Sequence, residues 1–170
     1  DRTCYVSMKA PMSIYKKFKR GGYRRISPCS AAKVIAGKYL RLGGYGDPAF
    51  VPLPILRILV STASKYTGYT HQWRTCSRKY REVLMASVEN KRLAERAKAK
   101  GYRTFRVRLM TETATPREVV CPASAEANYR SDCGTCGLCA GTARPAKDIV
   151  IAVHGLQSGP RTAEVYARKV

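Results

Sequence analysis

The stretch 83–109 reads VLMASVENKRLAERAKAKGYRTFRVRL. Its opening, VLMASV, is an apolar run of the length of a strand buried on both faces. Glu89-Asn90 then leads into Lys91–Lys100, rich in Ala and Lys, which favour helix, and Gly101 supplies the stop. From Arg103 to Leu109 the period changes to two, with Phe105, Val107 and Leu109 on one side and Arg106 and Arg108 on the other. Strand, helix and strand in this order predict neighbours in a parallel sheet with a helix packed on it.

The pattern extends in both directions. Upstream, Thr67–Trp73 (TGYTHQW) reads as a strand with His71 and the sole Trp near its end. Before it, Pro52–Ser64 (PLPILRILVSTAS) is a helix apolar around most of its circumference, hence buried on more than one side. Lys38–Leu42 alternates as a strand and runs into the turn GGYGDP, residues 43–48. Ser30–Ala36 and Pro11–Arg20 read as short helices, the latter with Pro11 at its first position and Gly21-Gly22 at its end. Downstream, Asp148–Val153 (DIVIAV) is a buried strand, and a tail helix is expected from about Thr162. The chain therefore reads as a single α/β domain over 1–170. Its sheet is mainly parallel, open or part of a barrel, with a cysteine-rich metal loop (118–145) inserted before the last strand.

That loop carries CPASAEANYRSDCGTCGLC, with thiols at Cys121, Cys133, Cys136 and Cys139. A Cys-x-x-Cys turn brings two thiolates to one ion, and Gly134 and Gly137 let the backbone wrap closely. Structural zinc usually draws two separated Cys-x-x-Cys pairs, whereas Cys-x-x-Cys-x-x-Cys plus a distant Cys-Pro is the pattern of [4Fe-4S] ferredoxin loops. The spacing points first to an iron–sulfur cluster and, as the alternative, to Zn2+, for which His154 is a candidate substitute ligand. Two disulfides or unpaired thiols in a loop are the plainer alternative. Cys29 and Cys76 stand apart and read as buried apolar fillers. The clustering of seven cysteines argues against a secreted disulfide framework and for a reducing, cytoplasmic setting. No apolar run approaches a membrane span, since the best, Val51–Val60, is broken by two prolines and Arg57.

Net charge is +21, and it is uneven. Residues 1–80 hold sixteen Lys or Arg against Asp1 and Asp47 alone. An excess this large repels itself unless a polyanion offsets it, and nucleic acid is the usual polyanion. Within 9–25 the cations Lys16, Lys17, Lys19, Arg20, Arg24 and Arg25 are interleaved with Tyr15, Phe18 and Tyr23. Cations track phosphates and aromatic faces stack on unpaired bases, so this stretch is the candidate contact for DNA or RNA. The competing reading makes Tyr15 and Phe18 the buried side of a solvated basic helix. The charge pattern leaves the oligomeric state open.

Acid–base groups are few. Asp47 is the only acid between residues 2 and 81 and follows a strand end, where α/β proteins place functional groups. With His71 and Glu89 it makes the candidate catalytic set, although an Asp-Pro turn is often turn chemistry alone. The two histidines, His71 and His154, read first as structural imidazoles and only second as catalytic groups. Phosphate-cradling Gly-rich loops ending in Lys-Ser or Lys-Thr, His-Glu-x-x-His and Gly-x-Ser-x-Gly are all missing.

The phrases CYV, RLGGYGDP, GYTHQW, LMASVEN, YRTFRV, CPAS…CGTCGLC and IVIAVHG occur in that order. Together they resemble a group of poorly characterised cysteine-rich proteins of phages and other mobile elements. More distantly, Cys4-Tyr5, Gly46-Asp47-Pro48 and Ser87-Val88-Glu89-Asn90 are similar to phage-borne proteins with a radical-SAM-like partial barrel. The first resemblance implies a phage or mobile-element protein. The second implies a nucleic-acid-modifying enzyme, yet of the three N-terminal cysteines such an enzyme uses, only Cys4 has a counterpart here.

Overall fold

The computed structural model describes residues 9–153. Cys4, His154 and the expected tail helix lie outside the described residues. The sheet is built outward from β4 (Met85–Val88), all four of whose residues are buried. It pairs in parallel with β3 (Tyr69–Thr70) on one side and β5 (Thr104–Arg108) on the other. β5 pairs with β7 (Asp148–Ala152) and β7 with β6 (Glu118–Val120), again in parallel, giving the order β3-β4-β5-β7-β6. A second parallel pair joins β1 (Tyr39–Arg41) to β2 (Lys65–Thr67). The α/β reading with a parallel sheet holds, and the cysteine loop does precede the last strand.

The strand expected over Thr67–Trp73 is broken. Gly68 separates β2 from β3 because the backbone there is pressed against its neighbours. A Cβ on Gly68 would stand 2.8 Å from Leu84 Cδ2 and 2.9 Å from Leu42 Cβ. The strand ends at Thr70, and Gln72–Arg74 forms a 3₁₀ turn that drops Trp73 into the core, where Nε1 donates to the Ser87 carbonyl at 3.1 Å.

Two helices make the crossovers. α4 (Lys91–Ala99) starts at Asn90, whose Oδ1 accepts from Leu93 N at 2.8 Å, and it closes at Gly101 with φ +83°. It buries Leu93, Ala94 and Ala97 against Ala86, Val88, Trp73 and Tyr102. α3 (Leu53–Thr62) packs Leu53 and Leu56 on Leu42, Val83 and Leu84. Its other side is covered by α2 (Pro28–Ile35), and Thr62 Oγ1 donates to the Ala32 carbonyl at 3.2 Å. α1 (Lys9–Lys19) lies N-terminal to these and α5 (Cys133–Cys136) is a single turn in the cysteine loop.

Alternation along the strands assigns the two faces. Ala86 and Val88 point to α4, and Leu40 and Tyr66 point to α3. Ile149, Tyr39 and Thr67, one step out of phase with these, belong to the opposite face. That face receives the cysteine loop.

β5 reverses the usual sense of its alternation. Arg106 is 0% and Arg108 3% exposed, while Phe105 and Val107 are only half-buried. Arg106 Nε and Nη2 donate to Glu118 Oε1 and Oε2 at 2.7 and 2.8 Å, and Nη1 donates to Glu112 at 2.9 Å. Arg108 Nη2 pairs with Glu126. Burial would raise the Glu118 carboxyl, but the Arg106 guanidinium and the Thr115 N–H hold it down at about 2. β6, which carries Glu118, was not expected from the sequence. Among the described residues no helix is long and apolar enough to cross a membrane.

Candidate metal centre and nucleic-acid interface

The four loop cysteines converge. Cys121, Cys133, Cys136 and Cys139 line one cavity of about 20 Å³ with Pro122, Leu138, Thr67 and Ile149. All four are free thiols.

Three parts of the fold hold them. Cys121 follows β6, and its N–H donates to the Val150 carbonyl of β7 at 2.8 Å. Cys133 and Cys136 are the ends of α5, capped by Asp132, whose carboxylate accepts from Thr135 N at 2.9 Å and Thr135 Oγ1 at 2.7 Å. Gly137 ends that turn at φ +59°, where a Cβ would meet Arg144 Nη1 at 3.1 Å and Lys65 Cδ at 3.2 Å. Lys65 Nζ donates to the Thr135 carbonyl at 2.6 Å, and Arg144 Nη1 to those of Cys136 and Gly137 at 3.2 and 3.1 Å. Cations at the carbonyl end of a helical turn complement its dipole. The Cys139 carbonyl accepts from Gly68 N at 2.9 Å, which fixes the fourth thiol at the β2–β3 break.

The electrostatics are those of a crowded thiol set. Burial pushes the Cys139 thiol up to about 12, and the charges of Cys121, Cys136 and Cys133 add to the rise while Arg103 opposes it. Burial likewise raises Cys121, with Cys133 and Cys136 contributing. Tyr39, whose hydroxyl is 2.7 Å from Thr67 Oγ1, is raised by burial and by Cys133 and Cys139. A bound cation reverses this logic, because it turns mutual repulsion into shared coordination. Four thiols and no competing carboxylate on the cavity make the kind of donor set that thiophilic ions prefer. Among the described residues, however, no three His, Cys, Asp or Glu side chains are close enough to share one metal ion. The thiols face a common space without closing on a common point.

Outside the loop, Cys29 is exposed, contrary to its reading as a buried filler, because it sits near the start of α2, whose one buried residue is Ala32. Cys76 is half-buried, with Sγ 3.4 Å from the Tyr102 hydroxyl.

The basic stretch stands clear of the body. Every residue from Met12 to Ser27 is exposed. Tyr15, Phe18 and Tyr23 are 56%, 58% and 44% exposed, so they are not the buried side of a helix. Lys17 Nζ lies 5.0 Å from the centre of the Tyr23 ring. Cations and aromatic rings share one solvent-facing segment.

Asp47 and His71 meet, but in a structural arrangement. Asp47 Oδ1 accepts from Ala49 N at 2.9 Å and Thr70 Oγ1 at 2.6 Å, and Oδ2 accepts from His71 N at 2.7 Å. The His71 ring is 3.8 Å away with Nδ1 facing Oδ2. The carboxylate thus ties the turn after β1 to the turn after β3. Glu89 is half-buried past the end of β4, the strand beside β3.

Sequence reasoning overlooked Arg103, Tyr39, Lys65 and Arg144 around the cysteines. The signal for Arg103 lay in RTFRVR, where arginines recur in a strand with few acids to match them. No family model matches the chain, and neither the curated proteins nor the solved structures contain a match.

Proposed function

We propose that this chain is a nucleic-acid-binding protein of phage or mobile-element type, with a four-cysteine metal or iron–sulfur site that fixes its long β6–β7 connection. One observation carries the binding half of this reading. The segment 12–27 holds six cations and three aromatic rings, all exposed, and no acid. A solvated basic helix has no need to expose Tyr15, Phe18 and Tyr23 together, whereas a single-stranded nucleic acid uses both kinds of group. The convergence of Cys121, Cys133, Cys136 and Cys139 on one cavity supports the metal half.

The enzyme reading, with Asp47, His71 and Glu89 as its machinery, is disfavoured by what Asp47 does. Both of its oxygens accept bonds that hold two turns together. The test is a salt titration of binding to single-stranded and duplex probes. Changing Lys16, Lys17, Lys19 and Arg20 to Ala is expected to cut the slope of log K against log salt by about 3. A flat slope for the unaltered chain contradicts the proposal.

A further inference from the structure

We infer that one flank of α4, with Arg74 and Arg81 from the turns between β3 and β4, is a second nucleic-acid contact, which holds the backbone phosphates of a duplex. This rests on the nucleic-acid reading above. α4 buries Leu93, Ala94 and Ala97, which leaves it two flanks. On the flank toward β7, Lys98 is neutralised by Glu95 at 3.1 Å and Asp148 at 3.3 Å. On the other, Arg92, Arg96 and Lys100 recur at every fourth residue and so form one row. The row runs on past the helix end. Lys100 Nζ donates to the Arg74 carbonyl at 2.6 Å, and Arg81 Nη1 donates to the Lys100 carbonyl at 3.2 Å. Arg74 Cζ and Lys100 Nζ lie 4.9 and 5.9 Å from the centre of the Trp73 ring.

The fold accounts for part of this row. Arg81 and Lys100 stand at the carbonyl end of α4, where the helix dipole favours cations. It does not account for the other end. Lys91 and Arg92 lie in the first turn, which holds no acid, and there the same dipole opposes them. Arg92, Arg96 and Lys100 also repel one another at their four-residue spacing. Among the described residues none of these six cations forms an ion pair, and neighbouring acids are taken, Glu82 by Arg57 and both Glu95 and Asp148 by Lys98. A polyanion laid along the row relieves both penalties. The surface also selects which part of the polyanion it meets. Trp73 is 2% exposed, and among the described residues no large apolar side chain between Phe50 and Met110 is exposed. Cations without rings meet phosphates and have nothing to stack on a base, in contrast to Tyr15, Phe18 and Tyr23. A duplex offers the denser array of phosphates, with about one charge per 1.7 Å of its axis.

The experiment measures binding of the full chain to duplex and single-stranded DNA by fluorescence anisotropy over a range of salt concentrations. The unaltered chain is compared with the double variants Arg92→Gln, Arg96→Gln and Arg92→Lys, Arg96→Lys, and with Phe18→Ala. The Gln pair is expected to cut the duplex slope of log K against log salt by about 2. It is also expected to melt no lower than the unaltered chain, because it removes repulsion and keeps helix propensity. The Lys pair, which keeps the charge, is expected to retain the slope, and Phe18→Ala leaves the duplex slope in place. An unaltered chain with a steep duplex slope that the Gln pair preserves overturns this inference and leaves the contact through 12–27 standing. A Gln pair that loses affinity for phosphatidylserine–phosphatidylcholine vesicles but not for duplex also overturns it. An unaltered chain that binds neither DNA probe overturns the nucleic-acid reading, and this inference with it.

Discussion

Arg106 and Glu118 face each other across β7, two guanidinium nitrogens on two carboxylate oxygens at 2.7 and 2.8 Å, with both side chains at most 2% exposed. A buried pair of this kind stabilises little over apolar packing, but removing one partner strands the other. Glu118→Gln is therefore expected to lower unfolding free energy by about 3 kcal/mol at neutral pH.

The same pair sets an acid response. The folded carboxyl, at about 2, lies below the ordinary value of 4.5, so its contribution is complete above about pH 4.5 and is lost as pH falls toward 2. Denaturant titrations at pH 7 and pH 3 check this. The gap between the unaltered chain and Glu118→Gln is expected to narrow at the lower pH, and a constant gap contradicts the assignment.

Asp47→Ala removes the acceptor for Ala49 N, Thr70 Oγ1 and His71 N. A loss of about 2 kcal/mol in stability is expected, with nucleic-acid affinity unchanged. A stable variant with impaired function would instead restore Asp47 as a working residue.

Phe18→Ala and Tyr15→Ala separate binding from folding. Both side chains are more than half exposed, so stability is expected to move by no more than about 0.5 kcal/mol. Affinity for single strands is expected to fall by about 1–3 kcal/mol per lost stacking contact, with duplex affinity less affected. Fluorescence anisotropy with the two probes distinguishes these outcomes.

Gly141→Ala tests how tightly the cysteine loop is seated. At φ +61° a Cβ there would lie 2.7 Å from the Arg81 and Glu82 carbonyls and 2.8 Å from Leu84 N. Main chain on every side leaves nothing to yield, and a loss of about 3 kcal/mol or more is expected in thermal or denaturant unfolding.

The crossover β4–α4–β5 was legible because its hydrophobic period changes twice within one short stretch, and Asn90 and Gly101 mark the helix ends. β6 was not, since it is three residues long and begins with a buried glutamate whose partner, Arg106, lies twelve positions away. The cysteines announced themselves by spacing. The bonds of Arg103 to the segment after them did not, because its acceptors are main-chain carbonyls, which leave no mark in a sequence. The position of Asp47 after a strand was read correctly, yet its engagement by two turns depended on Thr70 and His71 arriving from β3 and the turn after it.

The most direct measurement is metal analysis of anaerobically purified protein, with absorbance near 400 nm, against Cys136→Ser. The account predicts stoichiometric zinc or iron in the unaltered chain, loss of it in the variant, and destabilisation of the unaltered chain by chelator. Colourless, metal-free protein that is indifferent to chelator would contradict it.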